Sequence, residues 1–486
     1  MQLRLAHLND AGKAWRIPDY DPRTLATGIV HLGLGNFPRA HLAAYTDEVL
    51  VRDTSWGICG VSLKSRGVTG ALADQDHLYT LLVRGTGDAQ PRVIASVHSS
   101  HAGADGMTPV LGRIAAPATR IVSFTVTEKG YCHDPASGAL DLAHPDIVHD
   151  LAHPATPVSA PGVLLRGLQR RMAHGAPLTV LCCDNLPHNG ATVAGIVRQL
   201  ATQIDPALER WIEGNVSFPS TIVDRIVPAT TGADRVEVCA LGFDDHVPVA
   251  SEPFSQWVIE DRFAAGRPAW EAAGAQFVAD VAPFEIMKLR LLNGAHSALA
   301  YLGYLAGHEF IYQVSADAPF ARLLDRLWDE LSTTLPPALL ATPGVDLADY
   351  RRDLMARFRN SALAHRTWQI AMDGSQKLPQ RLLGATRERL ARDEGIDAIA
   401  LAVAGWMRYV TGSDEKNNAI DVRDPLAAEF SRIAHVAGAD SDALCAGLMN
   451  VQAVFGTDLA RDARFTGPVR THLGRLMTAG VRATLA

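Results

Sequence analysis

The 486-residue sequence predicts an amino-terminal α/β domain over residues 1–280, followed by a mainly α-helical domain over residues 281–486. Three observations carry this reading. GIVHLGLG, residues 28–35, has the apolar character of a short buried strand that ends in glycines. Strand-like segments then alternate with helical patterns as far as about residue 280. Beyond Val281 the chain passes into long stretches of helical apolar periodicity, bounded by Gly, Pro, Ser and Asp.

FPRAHLAAYTDEVL follows the glycines and reads as a helix with Pro38 near its first turn. WGICGVSL, residues 56–63, is the next strand, so strand, glycine turn, helix and strand open a nucleotide-binding unit. Further strands are expected in YTLLV (79–83), RVIASV (92–97), IVSFTVTE (121–128) and LTVLCC (178–183), with VLLRGLQRRMAHG as an intervening helix. The second domain is expected to build helices from FEIMKLRLLNGAHSALAYLGYLAG, PFARLLDRLWDELS, DYRRDLMARFRN, PQRLLGATRERLARD and AIALAVAGWMRYVTG.

A hydrophobic fraction of 48% in a chain of this length supports a substantial core. Acidic and basic residues are interspersed around a net charge of −7, which leaves no broad positive field for a nucleic-acid backbone. The opening MQLRLAHLNDAGKAWRIP lacks the apolar centre of a secretory signal, and no run approaches the roughly 20 apolar residues that cross a bilayer. A protein without membrane or nucleic-acid partners, cytoplasmic by default, is the expectation. The six cysteines include no CxxC pair. Cys182 and Cys183 read as core thiols of a buried strand in preference to metal ligands, even with His188 nearby, so reduced thiols and no structural zinc are expected.

Gly33 and Gly35 allow a tight turn in which backbone amides approach phosphate oxygens at the start of the next helix. Asn36, Phe37 and Pro38 then depart from the full glycine fingerprint. Arg39 and His41 lie in the first helical turn, a poor place for cations without an anionic partner, which makes Arg39 a phosphate contact or a structural carboxylate contact. After the second strand, SLKSRG supplies Lys64 and Arg66 but no acid for the ribose hydroxyls. Arg66 can face a 2′-phosphate or stand as a solvated surface group, so NAD and NADP both stay open.

The helix FEIMKLRLLNGAHSALAYL carries more polarity than packing needs. At about 100° per residue Lys288 points with Leu292, Ala295 and Leu299, His296 lies about 80° away, and Asn293 is at the edge of the same arc. Glu285 lies one turn earlier, and Arg290 projects nearly opposite. Either Lys288 snorkels to water while Asn293 and His296 bond neighbouring helices, or desolvation lowers the lysine pKa and readies a neutral amine to take an alcohol proton. An amide such as Asn293 would then stabilise the charge growing on that oxygen. Asp184 and Asn185, at a carboxyl-terminal strand edge, suit ligand contacts or a turn. Asp224 and Arg225 suit a polar substrate or an internal ion pair.

These segments resemble the long-chain mannitol dehydrogenase family along nearly the whole chain: HLGLGNFPRAH, TVTEKGYC, CCDNLPHNG, SFPSTIVDRIVP, EPFSQWVIED, FEIMKLRLLNGAHSALAYLG and DGSQKLPQR. The resemblance implies a Rossmann-like domain joined to a helical domain, with NAD(H) at the loop that includes Gly33, Gly35, Asn36, Phe37 and Arg39, and catalysis in the intervening cleft. It implies Lys288 as general acid/base, Asn185 and Asn293 around the reacting oxygen, and His296 positioning substrate or lysine. Glu285 looks like a proton relay and Asp224 like a substrate-binding residue. The lack of an acid in Val61 to Val68 departs from some members and leaves NADP(H) open.

TVTEKGYC, VADVAPFEIMKLRLLNGAHSALAYLGYLAG and HRTWQIAMDGSQKLPQR are most similar to the fructuronate reductases, which interconvert fructuronate and mannonate. A uronate carboxylate calls for a cationic or amide-rich recess, for which Lys377 and Arg381 are candidates, Arg381 being equally readable as a surface residue. Mannitol 2-dehydrogenase or a related polyol dehydrogenase is the alternative enzyme. A noncatalytic sugar-binding protein gives no reason to pair a nucleotide loop with a lysine on an apolar helix face.

Overall fold

The structure, a computed structural model, describes residues 1–85, 90–134, 138–342 and 344–486. The chain divides into two compact units, Met1–Ala282 and Pro283–Ala486. The first holds the strands found among the described residues: β1 (Thr27–Leu32), β2 (Gly57–Ser62), β3 (Tyr79–Val83), β4 (Gln90–Ile94), β5 (Val97–Ala102), β6 (Ile121–Phe124), β7 (Leu178–Cys182), β8 (Val216–Ser217), β9 (Thr221–Asp224), β10 (Val249–Ser251), β11 (Gln256–Glu260) and β12 (Gln276–Val278).

Six strands form one parallel sheet in the order β5-β2-β1-β6-β7-β8. Numbered among themselves this is 3-2-1-4-5-6, the doubly wound order whose switch point lies between β1 and β6. Both faces are covered, so β1, β6 and β7 are buried almost end to end, as a parallel sheet requires. Val30, Val122 and Val180 pack with Val110, Leu164 and Val193 of the flanking helices.

Three strand expectations change. YTLLV is β3, but it pairs antiparallel with β4 and parallel with β10 in a separate three-stranded sheet. RVIASV is not one strand: it leaves that sheet after Ile94 and enters the parallel sheet at Val97. The break is held by polar contacts to the helix Leu42–Val49, where Ala95 N donates to Asp47 Oδ1 at 3.0 Å and Ser96 Oγ donates to the Ala43 carbonyl at 2.8 Å. IVSFTVTE stops as a strand at Phe124 and turns, with Thr127 at φ +66°. The first helix also divides, into Asn36–Ala40 and Leu42–Val49, at His41, whose ring contacts Phe37, Tyr45 and Trp257 and bonds the Gln256 carbonyl at 3.0 Å.

The second unit is helical throughout its described residues apart from isolated bridges. Its centre is Asp397–Tyr409, a helix apolar on nearly every side, packed on Ala295–Leu305 and on Ala463–Leu485. Gly405 lets the Ala295–Leu305 helix come close, since a Cβ there would stand 2.7 Å from Leu302 Cδ2. No helix among the described residues is long and apolar enough to cross a membrane.

Candidate active site

In the first unit, the cofactor-loop residues stand at the carboxyl end of β1, beside the switch point. Gly33 takes φ +101°, and a Cβ there would lie 2.1 Å from the Thr125 carbonyl oxygen, so only glycine lets the chain pass the end of β6. Gly35 has open space where its Cβ would be, with nothing nearer than 3.9 Å. Open space above one glycine and a close backbone pass at the other suit a pyrophosphate lying along the turn.

Asn36 and Phe37 begin the short helix. Asn36 Nδ2 donates to the Pro228 carbonyl and Thr230 Oγ1, and Phe37 stacks on His41 with ring centroids 5.1 Å apart. Arg39, expected at a phosphate or a structural carboxylate, spends its hydrogen bonds on protein oxygens, with the Asp245 carboxylate acting on it electrostatically. It is 1% exposed, and its guanidinium donates to the Gly35 carbonyl at 3.0 Å, the Val247 carbonyl and Asn36 Oδ1 at 2.7 Å. A cation so buried is held by protein acceptors. Arg66 is exposed and ion-pairs with Asp105, which reaches it from the turn after β5.

Two further groups fix this rim: buried His31, which carries no expectation from sequence, and half-buried Asp184, expected at a ligand or in a turn. His31 lies inside β1, its ring nitrogens 2.8 Å from Ser123 Oγ and 2.9 Å from Thr125 Oγ1, while Thr125 Oγ1 donates to the Gly33 carbonyl. Burial pushes its imidazole down to about 4, so it serves as a neutral link between the glycine turn and β6. Asp184 accepts from Val126 N at 2.9 Å, Thr127 N at 3.3 Å and Tyr131 Oη at 2.6 Å, tying the turn after β6 to the end of β7. Burial raises the Asp184 carboxyl above its ordinary range, against these hydrogen bonds. The only signals in the sequence were a histidine inside an apolar strand and an acid directly after one.

Asn185 is exposed in the turn directly after β7, and Asp224 is the buried last residue of β9. The fully buried amide of Asn189 spans these two places, donating to the Thr221 carbonyl at 2.8 Å and accepting from Thr221 N at 2.9 Å. Arg225 turns to the carbonyls of Glu252, at 3.0 Å, and Ala40, at 2.5 Å.

In the second unit, the lysine helix is not a regular α-helix. Ala282–Met287, with half-buried Glu285, runs into a π-turn at Lys288–Gly294 and then into Ala295–Leu305. The rotation of about 100° per residue expected for this segment therefore does not apply across it. Bonding from i to i+5 takes about one more residue per turn, which swings Asn293 closer to the side of Lys288 than an α-helix would. Carbonyls of the turn are taken up by side chains: Trp328 Nε1 donates to Leu291 O at 2.9 Å and Arg381 to Asn293 O at 3.3 Å. A second π-turn, Pro379–Leu383, carries Arg381 and packs on the first beside Gly294. Arg290, set apart from the pocket by the sequence reading, ion-pairs with Glu388 at 2.5 Å.

His296 follows the π-turn and sits 4.6 Å, ring to ring, from Phe358 and 5.9 Å from His365. Burial holds its imidazole well below the usual range, and repulsion from His365, Arg357, Arg381 and Lys377 acts in the same direction. His296 is therefore a neutral ring among cations. Lys377 donates to the Ile370 carbonyl at 3.2 Å, and burial with Arg381 lowers its ammonium to about 8. Arg381 is no surface residue: it is half-buried and also bonds Ser297 Oγ at 3.1 Å. Arg357 joins this cationic cluster, and His365 lies beside it with its imidazole lowered by burial and by Arg357.

A doubly wound parallel sheet with a glycine turn at its switch point, followed by a helical unit carrying a lysine, an amide and an imidazole on one distorted helix, defines a nicotinamide-dinucleotide-dependent oxidoreductase. The family model described as the mannitol dehydrogenase Rossmann domain matches residues 27–272, and that of the mannitol dehydrogenase C-terminal domain matches residues 280–477. The chain belongs to the mannitol dehydrogenase family. It is 46% identical over 477 residues to a D-mannonate oxidoreductase of Escherichia coli strain K12, covering 96% of this chain and 97% of that one. Among solved structures it is similar to a Pseudomonas fluorescens mannitol 2-dehydrogenase in ternary complex with NAD and D-mannitol, with 38% identity, a TM-score of 0.84 and coverage of 100% of this chain and 99% of the other. It is also similar to a substrate-free D-sorbitol dehydrogenase, with 32% identity, a TM-score of 0.93 and full coverage of both chains.

Proposed function

We propose that the chain interconverts the secondary alcohol of an open-chain polyol and the ketone of the matching ketose, with NAD(H) as hydride carrier and mannitol-type polyols as the first substrate class. The observation that carries this reading is the whole-length similarity to a mannitol 2-dehydrogenase whose structure holds NAD and D-mannitol. The turn from Gly33 to Arg39 would hold the dinucleotide, which when bound would supply the hydride acceptor for the alcohol and the hydride donor for the ketone. Lys288 as a neutral amine takes the hydroxyl proton in oxidation, and as an ammonium gives it back in reduction. Asn293 and Asn185 donate amide N–H groups to the oxygen as negative charge develops there. Neutral His296 orients lysine or substrate, Glu285 passes the proton onward, and Asp224 accepts from substrate hydroxyls. The Gly33 to Arg39 turn seats the pyrophosphate, with Arg39 supporting it from within the protein.

A second reading, reduction of fructuronate to mannonate, is favoured by the D-mannonate oxidoreductase relative and by the cluster of Arg357, Lys377 and Arg381. In this reading Lys377 meets the uronate carboxylate. NADP(H) is the weaker cofactor, because Arg66 must leave Asp105 to meet a 2′-phosphate. The test is a matrix of mannitol, arabinitol, fructose, mannonate and fructuronate against both cofactors. Highest kcat/KM for a neutral polyol or ketose with NAD(H) supports the first reading; an acid sugar preferred by about 100-fold or more, some 3 kcal/mol of transition-state discrimination, replaces it with the second. No turnover with any pair refutes both.

A further inference from the structure

Cys132, His144 and Asp146 come together in the first unit, outside every role assigned above. Their ligand atoms lie within 4.8 Å of one another. We propose that they form a binding site for one thiophilic divalent cation, Zn2+ being the type.

The site is assembled by a closed loop. Asp141 N donates to the Cys132 carbonyl at 2.9 Å, His144 N donates to the Asp141 carbonyl at 3.1 Å, and His133 bridges Leu140. Cys132 is 3% exposed, in a left-handed backbone conformation, while His144 and Asp146 are half-buried, which leaves a path for an ion. A sulfur, a nitrogen and an oxygen donor make a set that suits zinc, with water in the fourth position.

Electrostatics favour a cation there. The carboxylates of Asp146, Asp150 and Asp141 act on the Cys132 sulfur, with Lys64 opposing them. Asp150 is engaged by Val158 N, Ser159 N and Ser159 Oγ, so Asp146 is the carboxylate left to ligate. Binding exchanges the thiol proton for the metal: the S–H bond breaks, an S–Zn bond forms, and one proton goes to solvent. Thiolate and carboxylate together neutralise the ion. The Cys132 thiol makes only a 3.9 Å contact to the Gly130 carbonyl, and His144 Nδ1 accepts the N-cap hydrogen bond of Asp146 N at 3.2 Å, which leaves Nε2 as the nitrogen for an ion. The sequence expectation of no structural zinc rested on the missing CxxC spacing; here the donors are gathered by loop closure.

The experiment uses the full chain with Cys239→Ser as reference, since Cys239 is an exposed thiol able to bind metal by itself. Titration with Co2+ is expected to give one equivalent with a sulfur-to-cobalt charge-transfer band, displaced by Zn2+, with proton release on binding. Cys132→Ser should abolish the band. His144→Ala and Asp146→Asn should each weaken binding by at least the roughly tenfold that even an outer-shell loss costs. Absence of binding at micromolar metal, a band that persists without Cys132, or equal stoichiometry in all variants, meaning an adventitious ion only, overturns the proposal. Should Cys132→Ser fail to fold, unchanged affinity in both other variants overturns it.

Discussion

Lys288→Met keeps the length of the side chain at the head of the π-turn and removes its proton. Turnover is expected to fall on the order of 100-fold to 10,000-fold, with cofactor affinity retained, as read by steady-state rates beside NADH titration of the folded variant. Near-normal turnover removes the lysine from the mechanism. Lys377 gives a pH signature of its own. Burial and Arg381 lower its pKa to about 8, so its positive charge is present below that pH and lost as pH rises through it. KM for an acid sugar should rise above about pH 8 while KM for a neutral polyol stays flat, and Lys377→Met should raise the first and erase its pH dependence. Equal pH profiles for the two substrates defeat this role. At this scale the sequence announced polar groups on an apolar helix, because a lysine beside Leu292 and Leu299 violates ordinary packing. It could not reveal that Arg39 is spent on carbonyls or that Arg357 and His365 adjoin His296, since those partners are distant in the chain.

Among the elements, the glycine turn is the most constrained. Gly33→Val adds a β-branched side chain at φ +101° against the Thr125 carbonyl, and the backbone must move. A strain of about 1–3 kcal/mol is the scale for such a conformation before any overlap is counted. NADH affinity should fall in a protein whose circular dichroism is unchanged; retained affinity places the cofactor elsewhere. His31 links β1 to β6 as a neutral ring, with its pKa lowered from 6.5 to about 4 by burial. Between those values the unfolded chain binds a proton that the folded chain refuses, so stability falls as pH drops from about 6.5 towards 4, by up to about 3 kcal/mol. Urea unfolding at pH 7.5 and 5 should show a smaller pH loss in His31→Gln than in the parent; identical losses assign the effect to other histidines. The β1 strand and its turn were legible because apolar run, glycines and helix start agree. The π-turns were not: apolar spacing is read at the α-helical period, and nothing local marks one extra residue. The split of RVIASV was equally hidden, because Asp47 and Ala43, which hold it, lie about fifty residues earlier.

For the whole molecule, the change near residue 280 from alternating strands to helical periods was legible in the apolar periodicity; the structure forms two compact units, Met1–Ala282 and Pro283–Ala486. Which strands join which sheet was not visible, because β10 reaches back to β3 across more than 160 residues. The helical unit is organised by Asp397–Tyr409, so an error of packing there is felt widely. Gly405→Val should overpack against Leu302 and cost about 1–3 kcal/mol, lowering the thermal midpoint, with part of the loss returned by adding Leu302→Ala. A midpoint equal to the parent's contradicts the close approach of those helices.

The order in which the chain is made gives the sheet pairings a further consequence. Leu3 N waits for the carbonyl of Asp244, β3 waits for β10, and β11 waits for β12 at Gln276–Val278. During synthesis β3 keeps one edge unpaired until about 170 further residues have emerged. Every one of those partners is then in place before the first helix of the second unit is translated, so the sheets can close without it. Stalling between Asp244 and Val278 therefore leaves strand edges unpaired that stalling anywhere later does not.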